Sequence, residues 1–283
     1  MASGIPTVRQ RELGTRLRRL RTEQGLTVED VAKRLLCTPS KVSRMETSQR
    51  RPSLRDVRDL CEIYKVDGPE ADELMDMARK ARESGWWTDF KDLNLPYVGL
   101  EEAASAITSF TMYYVPALLQ TKEYAQAIIR AIAPMIDPAV HEQRVTARLM
   151  RQDNVLGRAD PPRYRVILDE AVLHRPVGGP VTMAAQLDKV LGVARSGKAA
   201  VQIVPFDIGA HAGQDSNFVL LDFDQSGLPS VVFVESLLSH QYLERKNEID
   251  RYRETIDNLR DSALSSQDSI KRITAARDMY KKG

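Results

Sequence analysis

Apolar residues at helical spacing open the chain and are followed by a helix-ending residue. Leu13, Leu17 and Leu20 are four and three residues apart, which predicts a helix over residues 9–23 with one buried face. Gly25 comes next, and glycine commonly ends a helix because it adopts the left-handed conformation without a steric cost. The pattern therefore predicts a first helix that ends near this glycine.

Two further helices are predicted directly afterwards, and each begins at a threonine. Thr27 and Asp30 have the three-residue spacing of a capping box. Thr38 precedes Pro39, and proline fits the first position of a helix because it needs no N–H partner there. The second helix is expected to end near residue 36, so only a residue or two separate it from the third.

The third helix has an apolar side and a polar side. Val42 and Met45 are expected to face the core. The residues left on the other sides are Ser40, Lys41, Ser43 and Arg44. Small hydroxyls allow a close approach to a DNA groove, and long cations reach base acceptors or phosphates. The loop that follows, with Gln49, Arg50 and Arg51, is basic and suits phosphate contact.

A fourth helix begins at Ser53 and is predicted to stop at Gly68 and Pro69. Its apolar face consists of Leu54, Val57, Leu60, Cys61 and Tyr64. Two short helices joined by a tight turn, between longer ones, form the helix-turn-helix arrangement. We therefore predict an all-α helix-turn-helix domain over residues 1–67.

Residues 68–99 are predicted to be a connector. A helix over residues 69–83 is followed by Trp86 and Trp87, which we expect to be packing anchors, with a ligand cage as the alternative. Residues 100–283 form the remaining domain, for regulation and dimerisation. Its first predicted elements are helices over residues 100–113, 121–132 and 139–156.

From residue 161 the pattern changes to β-branched alternation, which is typical of strands. The predicted strands cover residues 164–168, 200–204, 218–223 and 231–235, with a helix over 182–195 and a hairpin connection at 224–227. A strand, a crossover helix and a second strand imply a parallel pair. Helices over residues 241–264 and 268–280 end the chain, and their apolar stripe is either core or the seam of a dimer. The fold class is thus mainly α with a smaller α/β part: an all-α N-terminal domain and a C-terminal α+β domain with a small mixed sheet and C-terminal helices.

Charge is unevenly distributed along the 283 residues. The whole chain has a formal net charge of +2, but residues 1–67 carry +6 and the remainder −4. This asymmetry favours an anionic partner for the N-terminal domain, nucleic acid first, although a solvated basic helix surface is the alternative. Apolar runs are far shorter than the ~18 residues that span a bilayer, and the first residues lack a secretory signal. With only two cysteines, we expect a reduced, cytoplasmic location and no membrane contact.

The C-terminal domain offers few groups for catalysis. Asp169 and Glu170 end a predicted strand, but adjacent carboxylates in a strand point to opposite faces, so at most one enters a given site. His174 and His211 lack the spacing of a metal motif. We expect no catalytic residue, no metal site and no cofactor. We expect instead a buried polar network of Asp169, Glu170 and Arg175 that shapes the following loop, and a ligand-processing enzyme is the alternative.

The N-terminal domain resembles a known family. Residues 13–66 are similar to the Xre (Cro/C1-type) helix-turn-helix domain, above all in the Ser-Arg-x-Glu core formed by Ser43, Arg44 and Glu46 and in the closing Arg-x-Pro turn. Ser48 stands where this family commonly has glycine, and Val28 where a phosphate-contacting glutamine is common. The resemblance implies sequence-specific DNA binding, with a helical protein–protein module as the alternative.

The rest of the chain resembles the C-terminal domain that follows an Xre module in many actinobacterial regulators. The similar segments are residues 115–121 (VPALLQT), 169–173 (DEAVL), 175–179 (RPVGG) and the Gly209-x-His211 element. The match extends in order over residues 100–270. It implies an antitoxin-like transcriptional regulator whose partner is a small protein encoded nearby.

The sequence thus predicts a dimeric regulator of transcription that binds double-stranded DNA and is controlled by a small protein partner or ligand. Two recognition helices would enter successive major grooves about 34 Å apart. Base edges would be contacted by Ser40, Lys41, Ser43 and Arg44, and phosphates by Thr27, Thr38, Gln49, Arg50 and Arg51. A regulatory surface is predicted at Trp86, Trp87, Asp169 and Arg175. The alternative is an antitoxin-like protein that mainly sequesters its partner and binds DNA for autoregulation.

Overall fold

The structure, a computed structural model, describes residues 7–83, 85–90, 95–224, 228–236 and 239–282. The chain divides into two compact units, and each is described by itself. The N-terminal unit comprises Met1–Asp89, Asn94–Ala103 and Asp224–Leu228, and the C-terminal unit comprises Phe90–Leu93, Ala104–Phe223 and Pro229–Gly283. The first is helical and the second contains a mixed sheet, which confirms the predicted fold class.

Helices build the N-terminal unit, and their boundaries follow local capping signals. They are α1 (Val8–Glu23), α2 (Val28–Arg34), α3 (Pro39–Glu46), α4 (Leu54–Tyr64), α5 (Gly68–Lys80) and α6 (Leu95–Ala103). The side chains of Thr27, Thr38 and Ser53 each accept a backbone N–H in the first turn of the helix that follows. The predicted starts of α2, α3 and α4 are therefore confirmed.

The core of the N-terminal unit contains the residues that the apolar spacing placed inside. Val42 and Met45 are each 1% exposed, and Gly25 has the predicted left-handed conformation with φ +65°. The stop of α4 was predicted wrongly. Lys65 ends that helix with φ +57°, whereas Gly68 and Pro69 open α5, since proline loses no hydrogen bond in a first turn.

A six-stranded sheet forms the centre of the C-terminal unit. The strands are β1 (Ala106–Thr111), β2 (Arg163–Asp169), β3 (Ala200–Val204), β4 (Phe218–Asp222), β5 (Val231–Glu235) and β6 (His240–Leu243). Their order is β3-β2-β1-β4-β5-β6; β1, β2 and β3 are parallel, while β4, β5 and β6 pair antiparallel. The parallel pair of β2 and β3 and the antiparallel pair of β4 and β5 are confirmed. The predicted connection at residues 225–227 lies outside the described residues.

Strand β1 corrects the prediction of a helix over residues 100–113. Helix α6 ends at Ala103, and β1 then takes a place between β2 and β4. Ile107 and Phe110 have a three-residue spacing that also occurs in helices, but both are 1% exposed in the strand, as is expected where both faces of a sheet are covered. Strands buried on both faces lose the alternation that identifies them in a sequence.

The C-terminal segment also begins differently from the prediction. Residues 241–243 belong to strand β6, and helix α11 starts only at Lys246 and runs to Ser262, followed by α12 (Ser266–Lys282). A short polar edge strand carries little periodic signal. The apolar stripe of the two helices packs inside the C-terminal unit, so it is core. Its buried residues are Ile249, Ile256, Leu259, Ile273 and Ala276.

Helices cover the sheet and complete the C-terminal unit. They are α7 (Lys122–Ile132), α8 (Pro138–Leu156), the short α9 (Ala171–His174) and α10 (Pro180–Arg195). In α8, Leu149 and Leu156 are partly exposed. Gln152 is buried instead, and its side-chain amide donates to the carbonyls of Ala117 and Gln120 at 2.8 Å. A polar side chain tolerates burial when its hydrogen bonds are satisfied.

The turn between α11 and α12 lies along the outer side of strand β3. The Leu264 N–H donates to the Ile203 carbonyl at 2.8 Å, and the Ile203 N–H donates to the Ser269 hydroxyl at 3.0 Å. The side chain of Gln202 donates to the Leu264 carbonyl at 3.2 Å. This edge of the sheet is therefore closed by the chain itself.

Candidate nucleic-acid interface

A tight turn joins α2 to α3. Leu36 adopts a left-handed conformation with φ +52° and is 93% exposed. Thr38 then caps α3, its hydroxyl accepting the Lys41 N–H at 3.3 Å, and Pro39 occupies the first turn. The two short helices and this turn form the helix-turn-helix that the sequence predicted.

Helix α3 is attached to α1 by a buried ion pair. The Arg21 guanidinium donates to both carboxylate oxygens of Glu46, with Nε–Oε1 at 2.6 Å and Nη2–Oε2 at 3.0 Å. The two side chains are 12% and 6% exposed. The hydrogen bond with Glu46 raises the pKa of Arg21, and Arg21 also donates to the Leu26 carbonyl at 2.8 Å. The sequence had marked Glu46 as part of a motif, but no spacing signal identified Arg21 as its partner.

Close packing at the C-terminal end of α3 is a second constraint on its position. A Cβ atom at Gly14 of α1 would lie 2.6 Å from the Ser48 hydroxyl and 2.7 Å from the Glu46 carbonyl, so only glycine fits without a shift. Ser48 has φ +59°, and its hydroxyl donates to the Gln10 carbonyl at 2.9 Å. The residue that departs from the family pattern therefore keeps the left-handed turn and adds a hydrogen bond.

The side of α3 opposite these contacts is exposed and polar. Ser40, Ser43 and Arg44 all lie on it. The Arg44 Nε donates to the Ser40 carbonyl at 3.2 Å, which folds the side chain along the helix surface. Three of the four predicted base-contacting residues are thus brought together on one open face.

Lys41, the fourth of them, is held by a carboxylate. Its Nζ is 2.6 Å from Asp56 Oδ1, and the two side chains are 22% and 16% exposed. Asp56 Oδ2 also accepts the Ser53 N–H at 2.8 Å, as part of the capping box of α4. Burial opposes ionisation of Asp56, but hydrogen bonds from Lys41 and Ser53 outweigh it and lower the pKa of the carboxyl.

The loop after α3 presents one polar and two basic side chains to solvent. Gln49, Arg50 and Arg51 are exposed, and none of their side chains makes a hydrogen bond or salt bridge to another residue in the described part of the chain. The Arg50 N–H donates to the Arg44 carbonyl at 2.9 Å, which fixes the start of the loop to α3. Arginines without a carboxylate partner are available to phosphate.

The two predicted phosphate-contacting threonines serve as helix caps. The Thr27 hydroxyl accepts the Asp30 N–H at 3.1 Å and donates to Asp30 Oδ2 at 2.6 Å. Its proton is therefore already engaged, whereas the Thr38 hydroxyl acts as an acceptor towards Lys41. Both residues are exposed, one at the start of each short helix.

The paired tryptophans pack within the N-terminal unit. Their rings meet edge to face with centroids 6.0 Å apart, and the Trp86 Nε1 donates to Glu102 at 3.0 Å. A Cβ at Gly99 would lie 3.0 Å from the Trp87 ring, which shows close contact with α6. These contacts describe packing and do not define a cage.

In the C-terminal unit, Asp169 contacts His211. The His211 Nε2 is 3.2 Å from Asp169 Oδ2, and the Gly213 N–H donates to Nδ1 at 3.2 Å. Because Nδ1 accepts, the proton of the neutral ring is on Nε2 and is donated to the carboxylate. The other oxygen of Asp169 accepts the Ala171 N–H at 2.7 Å. The side chains of this pair are 15% and 3% exposed, so the pair is buried.

Glu170 forms a separate buried network whose cation was predicted wrongly. Its carboxylate accepts from Arg272 Nη1 at 2.6 Å and from the Phe206 N–H at 2.9 Å, and lies 3.4 Å from His174 Nε2. Burial opposes its ionisation, but these donors outweigh burial and lower the pKa of Glu170. Arg175, the predicted partner, is exposed, and the arginine that replaces it is 102 residues away in sequence.

Two features are absent from the described residues. No three side chains of histidine, cysteine, aspartate or glutamate lie close enough together there to hold a metal ion. No helix in those same ranges combines the length and the apolar character needed to cross a membrane.

Comparisons with known proteins agree with this organisation. A family model described as a helix-turn-helix domain matches residues 12–74, which indicates a DNA-binding regulator. A second family model, described as Domain of unknown function (DUF5753), matches residues 96–275. Searches of curated proteins and of solved structures gave no match. Because the second family model covers more than half of the sequence, the chain belongs to the DUF5753 family and carries a helix-turn-helix domain ahead of it.

Proposed function

We propose that this chain is a sequence-specific regulator of transcription whose helix-turn-helix domain is of the Xre (Cro/C1) type. The observation that carries the proposal is the open polar face of α3, which the Arg21–Glu46 pair supports from the buried side. A helix that is fixed in this way presents its side chains to a groove without further ordering. Preorganised donors lose less conformational entropy on binding.

The residues of this face have different roles in the proposal. Arg44, with Ser40 and Ser43, contacts base edges, since arginine donates two hydrogen bonds to guanine in the major groove. Gln49, Arg50 and Arg51 contact phosphates, which set the register but carry no sequence information. Thr27 and Thr38 lie at the starts of the two short helices, where backbone N–H groups also favour phosphate.

Binding as a homodimer is part of the proposal. Two copies of α3 would enter major grooves about 34 Å apart on one face of the duplex. The apolar stripe of α11 and α12 is used inside the C-terminal unit, so the dimer contact lies on another surface. Inserting about five base pairs between the half-sites turns them to opposite faces, and affinity should fall to that of one half-site.

The test begins with duplexes selected from a random library by the purified chain. Arg44→Ala should reduce the preference for the selected sequence by about 1–3 kcal/mol, because one base contact is lost. Arg50→Ala should weaken all duplexes alike and flatten the log–log salt dependence by about 0.9, the contribution of one phosphate contact. Fluorescence anisotropy at several salt concentrations measures both quantities.

Arg79→Ala is the matched control, since Arg79 is exposed on α5 and pairs only with Asp76 within the described residues. It should change neither the preference nor the slope. If Arg44→Ala weakens selected and random duplexes by the same factor, the assignment of Arg44 to base contact is wrong. If the wild-type chain selects no sequence at low salt, the proposed function itself is wrong.

We also propose that the C-terminal unit regulates DNA binding through a small protein partner or a ligand. A partner shifts DNA affinity only if it binds one state of the chain more tightly than another. The candidate surface in the C-terminal unit lies around exposed Arg175. Measuring operator affinity with and without the product of the neighbouring gene tests this, and binding without any change in affinity would exclude regulation by that product.

An antitoxin-like protein is the alternative, supported by the resemblance of residues 100–270 to such regulators. It would neutralise its partner even when Arg44→Ala and Arg50→Ala abolish DNA binding. A catalytic role is not proposed, because Asp169 and Glu170 already accept hydrogen bonds from His211, Arg272 and backbone N–H groups. Turnover of a small molecule that is lost in Asp169→Asn would contradict this view.

A further inference from the structure

We infer that Asp56 is a positioning residue, which holds Lys41 against α4 and so keeps it out of phosphate contact. The inference rests on the proposed DNA-binding function and concerns the same face of α3. From its place in the sequence, Lys41 was expected to be a further cation that faces the DNA groove. The inference gives Lys41 the opposite role.

The geometry supports a firm hold on the ammonium group. Lys41 Nζ is 2.6 Å from Asp56 Oδ1, and Asp56 is itself fixed because its second oxygen accepts the Ser53 N–H at 2.8 Å. The Asp56 N–H donates back to the Ser53 hydroxyl at 3.0 Å. The carboxylate is thus part of the cap of α4 and is not a freely rotating surface group.

Partial burial makes this bridge stronger than an ordinary surface pair. The two side chains are 22% and 16% exposed, whereas the exposed pair of Arg79 and Asp76 has both side chains more than half exposed. Less screening by water increases the attraction between the charges. A phosphate that drew Lys41 away would also leave Asp56 as an unpaired carboxylate beside the polyanion.

The other cations of this surface lack such a restraint. Arg44, Arg50 and Arg51 form no salt bridge with any carboxylate in the described part of the chain. On this surface, Arg44, Arg50 and Arg51 are therefore open to DNA, whereas the charge of Lys41 is already neutralised by Asp56. Since a phosphate contact strengthens binding to every sequence alike, holding Lys41 away from phosphate lowers the general affinity for DNA and leaves the preference among sequences to the base contacts.

Asp56→Asn tests the inference directly. Asparagine keeps a carbonyl oxygen to accept the Ser53 N–H, so the cap is retained while the charge is lost. Released Lys41 should steepen the log–log salt dependence by about 0.9. The ratio of variant to wild-type affinity should then be about 3.5-fold larger at 50 mM than at 200 mM salt. The preference for the selected sequence over random duplex should stay unchanged, because an added phosphate contact strengthens binding to both alike.

Lys41→Ala in both backgrounds separates this effect from a general change of charge. In Asp56→Asn it should remove about 0.9 from the slope, and in the wild type less than half of that. Asp72→Asn is the matched control, since Asp72 is exposed on α5 and makes no salt bridge with a described residue. It should leave the salt slope within experimental error of the wild type.

Two results would overturn the inference while leaving the proposed function intact. One is an Asp56→Asn variant that is folded, as shown by its circular dichroism and melting curve, but has the wild-type slope. The other does not depend on that variant: a full loss of about 0.9 in Lys41→Ala alone would place Lys41 at a phosphate already. A wild-type chain that binds no duplex at all would instead refute the proposed function.

Discussion

Each of the two units buries a glutamate that accepts from an arginine far away in sequence, but the two sites are built differently. Within the described part of the chain, Glu46 accepts hydrogen bonds from one side chain, that of Arg21, and both residues are largely buried. Glu170 accepts from Arg272, which is 40% exposed, and also from the backbone N–H of Phe206.

The difference shows how strongly each unit depends on one side chain. Removing the partner of Glu46 leaves a buried charge with nothing to compensate it, and such losses are large. Removing Arg272 leaves Glu170 with the Phe206 N–H as a donor and with His174 Nε2 3.4 Å away. The N-terminal unit therefore compensates the charge of its buried glutamate through one side chain, whereas the C-terminal unit distributes that compensation over several donors.

The largest effect is expected for Arg21→Ala. It should lower the free energy of unfolding of the N-terminal unit by about 3 kcal/mol, because Glu46 stays buried without a cation. Fluorescence in urea isolates this unit, since both tryptophans of the chain belong to it. Arg19→Ala is the control: its exposed pair with Glu23 should contribute less than about 1 kcal/mol. Equal effects of the two variants would contradict the role given to the buried pair.

A smaller effect is expected for Arg272→Ala. The loss should be about 1.5 kcal/mol, since the hydrogen bond to a charged group is lost but Phe206 still donates. Urea unfolding followed by circular dichroism, with hydrogen exchange of the Phe206 amide, measures it. Lys271→Ala, which removes a mostly exposed neighbour, serves as the control. A loss of unfolding free energy as large as that in Arg21→Ala would contradict the proposed difference between the Glu46 and Glu170 sites.

Acid should act on the C-terminal unit through Glu170. Its pKa is lowered in the folded chain because Phe206 and Arg272 donate to the carboxylate and outweigh burial, which opposes ionisation. The stabilisation is therefore present above the unfolded value, about 4.3, and is lost as the pH falls through the lowered folded value. Glu170→Gln should show a shallower loss of stability below about pH 5. Exposed Glu254→Gln should retain the wild-type profile, and an equally shallow profile there would contradict the assignment.

The smallest effect is expected at Ser48. Ser48→Ala removes the hydrogen bond to the Gln10 carbonyl and should cost about 1 kcal/mol. Ser48→Gly loses the same bond but relieves the left-handed backbone, a gain of about 1 kcal/mol, so its net effect should be near zero. Thermal melting followed by tryptophan fluorescence compares the pair. Equal destabilisation in Ser48→Ala and Ser48→Gly would mean that the left-handed backbone conformation at this position has no effect on stability.

Local signals in the sequence were enough to predict the helix-turn-helix. Caps such as Thr38 and Ser53 act within four residues, and the apolar spacing of Val42 and Met45 identifies the buried side of α3. Strand β1 was not predictable in this way. Its neighbours β2 and β4 begin at residues 163 and 218, so the burial of both its faces depends on chain that is distant in sequence.

The charged partners were the least predictable part of the candidate site. Glu46 and Arg21 are 25 residues apart, Lys41 and Asp56 are 15 apart, and Glu170 and Arg272 are 102 apart. The residue types indicated that these charged side chains need partners of opposite charge. Only the packing of segments that are distant in sequence determines which residue becomes the partner. Arg175 was the nearer candidate for Glu170, and it is exposed instead.

The closed edge of β3 has a consequence for how the chain tolerates shortening. An open strand edge offers unpaired N–H and carbonyl groups to any other strand, which leads to aggregation. Ser269 and Leu264 occupy the groups of Ile203 on this edge. Deleting α12 would therefore do more than remove one helix, because it would free the Ile203 N–H to pair with a strand of another molecule, and the shortened chain should accumulate in inclusion bodies.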